Sequence, residues 1–164
     1  MTYTDFNSTS QPKDAIHQAL REVPVDDSDE QYEDRSPLHL ACQYGDAEGV
    51  KILLERDAEP NTKDANGSTP IHILGRTSAG RADEDKLKEI AVMLMEHGAN
   101  IPRSAKNTTA LIECVRNRHF KMAEAIINSG ARVNSTDLNG ENVLFGFLCR
   151  FRRHQKGYPV REKG

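Results

Sequence analysis

The fold is decided by the stretch between residues 34 and 64, which reads DRSPLHLACQYGDAEGVKILLERDAEPNTKD. The Ser-Pro pair at residues 36–37 predicts the start of a helix, because a serine oxygen can cap the first turn and a proline there loses no hydrogen bond. A second helix is predicted by apolar residues at helical spacing, which are Val50, Leu53 and Leu54. The stretch therefore predicts a pair of helices.

The same pattern recurs along the chain. The signature proline returns after 33 positions, from Pro37 to Pro70, and a related unit without proline begins at NTTALIEC, residues 107–114. Shifts of 33, 40 and 33 positions bring four turn-prone residues together, namely Asp34, Gly67, Asn107 and Gly140. Because these residue types tolerate positive φ best, each unit is predicted to begin at a left-handed turn. One helical hairpin cannot bury both its faces, so the units are predicted to stack and share a core.

The recurring unit resembles the ankyrin repeat, in which a β-turn is followed by two antiparallel helices. The signature T-P-L-H-x-A is matched by SPLHLA at residues 36–41, by TPIHIL at residues 69–74, and less closely by TALI at residues 109–112. The resemblance extends over roughly residues 34–150 and places Gly45 at the turn between two helices. It implies an all-α fold, an ankyrin-repeat α-solenoid of about four stacked helix–turn–helix units with projecting hairpin loops.

The repeat boundaries predict a tail followed by one repeat domain. Residues 1–33 are predicted to hold an acidic linker and a short helix at residues 13–23, whose apolar face docks on the first unit in place of a missing neighbour. The repeat domain is predicted to cover residues 34–164. Its four units are residues 34–66, 67–106, 107–139 and 140–164. The last unit lacks a second helix of the usual type, which predicts either a fragment of a longer protein or an unusual C-terminal cap.

The second unit carries an insertion, GRTSAGRADEDK at residues 75–86. We expect this insertion to lengthen the loop between the two helices of the unit, with Asp83 or Asp85 opening the second helix. Two interpretations stay open. The insertion is either a surface loop tolerated at small entropic cost or a contact specific to one partner.

Several reactive residue types are interpreted as structural. Cys42 and Cys114 fall near the buried side of the first helices, where inert packing is expected. The ankyrin resemblance implies that His39 and His72 make a structural hydrogen bond to the adjacent turn. His119 follows a turn between helices and is also interpreted as structural.

Composition and motifs argue against chemistry within this chain. Its three cysteines, the third being Cys149, are too scattered for a disulfide framework or a zinc site and favour a reducing compartment. No nucleophile elbow, P-loop, dinucleotide fingerprint or paired-histidine metal motif occurs. No apolar run of about 18 residues predicts a membrane span, and residues 1–10 lack the pattern of a signal peptide. We predict a protein that is not an enzyme and needs no metal or cofactor. We expect it in the cytoplasm or, alternatively, as a secreted effector in a host cytosol.

Charge is spread unevenly around a net value of −3. Residues 1–34 carry nine acidic and two basic residues, whereas residues 149–164 carry six basic and one acidic. Phe151 and Tyr158 are interleaved with the basic residues, which supports an alternative hypothesis of binding to nucleic acid or acidic lipid. The same stretch is equally consistent with a solvated loop or a truncated helix, so protein remains the favoured ligand.

The resemblance implies that hairpin tips and the exposed side of the first helices form a binding groove. The predicted partner-binding residues are Gln43, Tyr44, Ala65, Asn66, Ser68, Lys106, Thr108, Arg116, Asn117, Leu138, Asn139 and Glu141. Tyr44 and Arg116 are the best anchor candidates, because aromatic residues and arginine dominate binding hot spots. We predict a monomeric, non-enzymatic scaffold or adaptor for another protein or peptide. The alternative is a regulatory ankyrin module within a longer multidomain protein.

Overall fold

The computed structural model of the chain describes residues 17–18, 20–22, 24–25, 33–77, 83–101, 109–134, 136, 140 and 142. Six α-helices lie in these residues: α1 Pro37–Tyr44, α2 Ala47–Glu55, α3 Pro70–Arg76, α4 Glu84–Glu96, α5 Ala110–Asn117 and α6 Phe120–Asn128. An isolated antiparallel bridge joins Thr136 to Asn142, and the described ranges contain no longer strand. The predicted all-α fold is confirmed.

The helices form three consecutive pairs that stack side by side. In one layer the first helices pack in order, α1 against α3 and α3 against α5. In the other layer the second helices do the same, α2 against α4 and α4 against α6. Each helix therefore buries its apolar stripe against its counterpart in the next unit, which is the stacking that the repeated pattern predicts.

Aliphatic side chains fill the space between these layers. The predicted stripe of the first unit is buried at Val50, Leu53 and Leu54. At the equivalent positions of the third unit, Ala123 and Ile126 are buried, whereas Ile127 has an exposed fraction of 42%. Ile127 lies in α6, and among the described helices none follows α6 in the way that α4 follows α2.

The first helices begin where the sequence predicts, and histidine takes part in the cap. Ser36 and Thr69 are the N-cap residues, and a proline follows each of them at the first helical position. The N–H of Ser36 donates to Nδ1 of His39 at 3.2 Å, and the N–H of Thr69 donates to Nδ1 of His72 at 3.3 Å. Each cap hydroxyl lies 2.9 Å from the same ring nitrogen. The end of the helix is thus tied down by hydroxyl and imidazole together.

Two histidines also link one unit to the next. Nε2 of His39 donates to the carbonyl oxygen of Ser68, at 3.0 Å, in the following hairpin. Nε2 of His119 donates to the carbonyl oxygen of Thr77 at 2.7 Å. The structural roles predicted for His39 and His119 are confirmed, whereas the turn expected to receive His72 lies outside the described residues.

The backbone has positive φ where the repeat pattern requires it. φ is 55° at Asp34, 65° at Gly67 and 73° at Gly140, so the predicted left-handed turn is confirmed at these three positions. Its fourth position, residue 107, lies outside the described residues. The turn between the two helices of a unit is also left-handed, with φ of 65° at Gly45 and 69° at Arg118. Arg118 therefore adopts a conformation that favours glycine.

The insertion is shorter in the structure than in the sequence-based prediction. α3 continues to Arg76 and α4 begins at Glu84, so both ends of the predicted range 75–86 are helical. Asp83 is the N-cap of α4, and its carboxylate accepts a hydrogen bond from the N–H of Asp85 at 3.2 Å. The prediction that Asp83 or Asp85 opens the helix is therefore confirmed for Asp83.

The described part of the N-terminal segment contacts the first unit. Leu20 is 1% exposed and belongs to the core. Nε2 of His17 lies 3.1 Å from Oδ1 of Asp46, the N-cap residue of α2, and the Arg56 guanidinium donates to the carbonyl of Leu20. Residues 13–16, 19 and 23 of the predicted helix lie outside the described residues, so its capping role stays a prediction.

Candidate partner-binding surface

The candidate surface is built on the C-terminal ends of the first helices. Shifts of 33 and 40 positions bring Gln43 of α1, Arg76 of α3 and Arg116 of α5 onto one position of the repeat, and each is partly exposed. We refer to these three residues as the helix-end row. Because α1, α3 and α5 pack in order, the row crosses all three described units.

Each of the first two members of the row is held by a contact within its own unit. The Arg35 guanidinium donates to Oε1 of Gln43 at 2.8 Å, across eight positions of sequence. In the second unit the Arg76 guanidinium donates to the hydroxyl of Ser68 at 3.0 Å, also across eight positions. Arginine and its polar partner have exchanged places between the two units, so the same contact is kept while the charge moves from the hairpin to the end of the helix.

A buried carboxylate shapes the hairpin beside this row. Oδ1 of Asp64 accepts from the N–H of Asn66 at 2.9 Å and from the N–H of Ser68 at 2.8 Å. Its other carboxylate oxygen lies 3.6 Å from Nε of Arg35, which also forms an ion pair with Glu33. Asp64 is 5% exposed, so the paired Arg35 is needed to balance a charge that would otherwise be costly to bury.

An ion pair joins the second unit to the third. Nε of Arg76 lies 3.1 Å from Oε1 of Glu113, with side-chain exposures of 25% and 11%. The first two units carry Leu40 and Ile73 where the third carries Glu113. A carboxylate in this buried position is accommodated because Arg76 on α3 forms an ion pair with it.

α3 and α5 approach each other closely at Gly75, the residue before Arg76. A Cβ atom built on Gly75 would lie 3.1 Å from the carbonyl oxygen of Ala110, 3.2 Å from Cβ of Glu113 and 3.3 Å from Sγ of Cys114. These distances are shorter than ordinary van der Waals contacts. The absence of a side chain at Gly75 therefore brings α3 and α5 close enough for the ion pair.

Side chains that follow the row satisfy helix carbonyls of the preceding unit. The Thr77 hydroxyl donates to the carbonyl of Cys42 at 3.3 Å, and the Asn117 amide donates to the carbonyl of Gly75 at 2.9 Å. Thr77 and Asn117 are equivalent positions, as are Cys42 and Gly75, so one contact is repeated at both junctions. These contacts set the position of each first helix relative to the first helix of the preceding unit.

The structure places the predicted site residues unequally. Gln43, Tyr44, Arg116 and Asn117 lie at helix ends and are partly exposed, although the Asn117 amide is engaged by helix carbonyls. In the hairpin, Ala65 is exposed and Asn66 partly exposed, whereas Ser68 is fully buried and supports Arg76 from within. The remaining predicted residues lie outside the described residues: Lys106, Thr108, Leu138, Asn139 and Glu141.

The residues that sequence reasoning missed are Arg35, Arg76 and Glu113. A sequence signal for Arg76 was present, because the shifts that align the left-handed turns also place it between Gln43 and Arg116. No sequence signal marked Glu113, since its partner lies 37 positions away and is brought near by stacking.

Reactive side chains near this surface are shielded. Cys42 and Cys114 are fully buried, and burial raises the pKa of both thiols far above the ordinary range. Burial also lowers the pKa of His39.

Within the described ranges no group of three or more His, Cys, Asp or Glu side chains is placed to hold a metal ion. None of the described helices combines the length and apolar character needed to cross a membrane. The basic stretch 149–164 lies outside the described residues.

Two family models match the chain. The model described as "Ankyrin repeats (many copies)" matches residues 19–74, and the model described as "Ankyrin repeat" matches residues 106–138. The first match covers the units of α1 to α3, and the second covers the unit of α5 and α6. The matched ranges contain Gln43 and Arg116 of the helix-end row, whereas Arg76 lies between them.

Curated relatives share the repeats over a small part of their length. The chain is 38% identical over 69 residues to the Transient receptor potential cation channel subfamily A member 1 homolog of Caenorhabditis elegans, covering 42% of the chain and 6% of the relative. It is 35% identical over 107 residues to the human Neurogenic locus notch homolog protein 1, covering 65% of the chain and 4% of the relative. It is 29% identical over 124 residues to Ankyrin repeat protein nuc-2 of Neurospora crassa, covering 74% and 10%. The chain thus spans a tenth or less of each of these relatives.

Proposed function

Because the chain belongs to the ankyrin repeat family, whose repeats are protein–protein interaction modules, we propose that it is a non-enzymatic adaptor. Its ligand is another protein or peptide, which binds along the helix-end row and the hairpin tips next to it. The exposed hairpin residues are Ala65 and Asn66. Tyr44 lies beside Gln43 at the same end of α1 and adds an aromatic contact to the row.

The observation that carries this proposal is the intramolecular support of the row. Arg35 holds Gln43, and Arg76 is held by both Ser68 and Glu113. Side chains fixed in this way lose little conformational entropy when a partner arrives, and such preorganisation favours binding. The row is therefore a set of polar groups already ordered for recognition.

The expected anchors are Tyr44, which lies beside Gln43, and Arg116, the last member of the row. Tyr44 and Arg116 are partly exposed and belong to the residue types that contribute most at protein interfaces. Replacing both with alanine is expected to weaken partner capture by roughly 2 kcal/mol or more, which is about thirtyfold. The helix positions themselves tolerate alanine, so the fold is expected to persist.

The test is affinity capture from the natural source followed by mass spectrometry, and then titration of the partner with purified variants. The matched control replaces Lys51 and Lys88, which are exposed on α2 and α4 and away from the row. Equal binding by the wild type and by the Tyr44→Ala/Arg116→Ala variant would contradict the proposal, provided that circular dichroism shows an unchanged helix content. Loss of binding in the lysine control alone would move the interface to the second-helix layer.

A second candidate function is regulation of a longer polypeptide that contains these repeats. It is favoured by one observation, that the matched relatives are at least ten times longer than the region they share with the chain. In that case the row binds a segment of the same polypeptide or of its regulator. Determining the intact mass of the natural gene product distinguishes this function from that of a free-standing adaptor.

A further inference from the structure

In two ion pairs beside the helix-end row, the arginine is the more exposed partner. The Arg35 side chain is 20% exposed, whereas the Asp64 carboxylate with which it pairs is 0% exposed. For Arg76 and Glu113 the exposed fractions are 25% and 11%. Glu33 is an exposed acid that also pairs with Arg35 and offsets its charge at the first unit. The surface is therefore most positive in the second unit, at Arg76.

Arg76 also has a donor that is not used within the described residues. Its Nε donates to Glu113 at 3.1 Å and its Nη1 donates to Ser68 at 3.0 Å. Nη2 is buried and has no hydrogen-bond partner in the described part of the chain. A buried donor without an acceptor is unfavourable, and a guanidinium can hold a carboxylate through two N–H groups at once. Arg76 is thus suited to an acidic ligand.

The spacing of the row limits the conformation of such a ligand. Thr77 contacts Cys42 and Asn117 contacts Gly75, so the same ends of successive first helices lie side by side. Packed helices lie about 8 to 10 Å apart. In a polyproline II helix, side chains three residues apart lie on one face at a separation of about 9 Å. In a β-strand, side chains on one face recur after about 7 Å, which does not match the row.

We propose that the partner segment bound by the helix-end row adopts the polyproline II conformation and carries two acidic side chains three residues apart. One carboxylate binds Arg76 and the other binds Arg116, which is partly exposed in the next unit. The uncharged Gln43 at the start of the row requires no acid. This proposal rests on the adaptor function proposed above and specifies the chemistry of its ligand.

Binding of the first carboxylate exchanges one partner of Arg76 for another. The side chain is already 25% exposed, so a change in its outer torsion angles brings Nη2 to the surface without a movement of α3. The ligand carboxylate then accepts from Nη2, and it competes with Glu113 for the same guanidinium. Glu113 is therefore an internal competitor of the partner, and its removal is expected to strengthen binding.

The test uses the full chain and the peptide acetyl-Pro-Pro-Glu-Pro-Pro-Glu-Pro-Pro-amide, with NMR detection of Arg76 and Arg116. Saturable shifts are expected at both residues. A peptide of equal composition with its glutamates two residues apart, acetyl-Pro-Pro-Glu-Pro-Glu-Pro-Pro-Pro-amide, should bind at least about fivefold more weakly, because only one carboxylate reaches an arginine. Equal affinities, or no shift at Arg76, would overturn the proposal. Tighter binding of an oligothymidylate at the same resonances would also overturn it, in favour of phosphate.

Two variants test the exchange at Arg76. Arg76→Gln/Glu113→Gln removes the cation without leaving a buried carboxylate alone, and it should weaken binding of the first peptide by about tenfold. Glu113→Gln by itself should strengthen binding by about twofold to fivefold, since the competing ion pair is lost. If Arg76 only supported the fold, Glu113→Gln would not tighten binding. Unchanged or weaker binding by Glu113→Gln, with helix content preserved by circular dichroism, would therefore overturn the proposal.

A failure of this proposal is distinguishable from a failure of the adaptor function. Capture of the natural partner and its loss in Tyr44→Ala/Arg116→Ala test the row as a binding surface. If that loss is observed while the two glutamate peptides bind equally, the adaptor function stands and the proposed spacing of acids is wrong.

Discussion

Glu84 caps a helix that belongs to the neighbouring unit. Its Oε1 accepts a hydrogen bond of 2.6 Å from the N–H of Phe120, the first residue of α6. One residue earlier, His119 donates to the carbonyl of Thr77. Thr77 and Glu84 lie on the two sides of the insertion, so the start of α6 holds both ends of that loop. The two residues that flank the insertion are thereby hydrogen-bonded to the third unit.

We expect Glu84→Ala to lower the free energy of unfolding by about 1 kcal/mol, the usual cost of removing an N-terminal cap. The reason is that Phe120 would lose the acceptor for its N–H at the positive end of α6. Chemical denaturation measures the effect. Glu89→Ala on the same helix is the matched control, since Glu89 is exposed and should cost little. Equal stability of both variants would show that the contact contributes nothing.

The ion pair between Arg76 and Glu113 is expected to couple the second and third units. In a double-mutant cycle with Arg76→Ala and Glu113→Ala, the coupling free energy should be about 1 kcal/mol and favourable. The reason is that the two side chains are only 25% and 11% exposed, so solvent and salt screen their charges less than on an exposed surface. Urea denaturation of the four proteins gives the coupling. Strictly additive losses would mean that each side chain acts alone.

Gly75→Ala is expected to destabilise the protein by about 1–3 kcal/mol, because the new methyl group would force α3 and α5 apart. The sign of this change in stability tests whether the two helices are in close contact at Gly75. In an exposed helix the same change would stabilise by about 1 kcal/mol, since alanine is the better helix former. Thermal unfolding monitored by circular dichroism decides between them. A rise in Tm would contradict the close approach seen at Gly75.

Acidification is expected to destabilise the fold through His39. Burial lowers the pKa of His39 from its ordinary value of 6.5, so below that pH the unfolded chain binds a proton that the folded chain rejects. Stability therefore falls as pH drops below 6.5, by at most about 1.4 kcal/mol per pH unit for this one group. Well above pH 6.5, where the histidine is unprotonated in both states, His39 contributes no slope.

The measurement is the free energy of unfolding between pH 5 and pH 8 for the wild type and His39→Gln. The variant is expected to be less stable at neutral pH, because the contacts to Ser36 and Ser68 are altered, and to show a shallower slope below pH 6.5. His97→Gln, at an exposed histidine, provides the matched control for the loss of one imidazole. A His39→Gln slope as steep as that of the wild type would assign the acid sensitivity to other groups.

Much of the fold follows from local patterns in the sequence. The left-handed turns at Asp34, Gly67 and Gly140 are encoded by residue types that tolerate positive φ. The helix starts at Ser36 and Thr69 are encoded by the cap and the proline that follows. These requirements act on a few consecutive residues, and repetition of the pattern multiplies the evidence. That is why these turns and helix starts were predictable.

The candidate site was predictable only in part. Position within the repeat identified Gln43 and Arg116 as members of one row, and the same shift would have added Arg76. It did not distinguish Ser68, whose hydroxyl faces inward to Arg76, from the exposed Ala65 of the same hairpin. The burial of a hairpin side chain depends on what the next helix presents to it, and a one-dimensional pattern does not contain that information.

The sequence by itself determined the helical pairs, their turns and their stacking, because periodicity and backbone preference are local properties. The tertiary structure alone decided which side chains meet across units. Arg76 with Glu113, Glu84 with Phe120 and Asn117 with Gly75 are separated by 37, 36 and 42 positions. Such pairs form only after stacking has set the distance between helices.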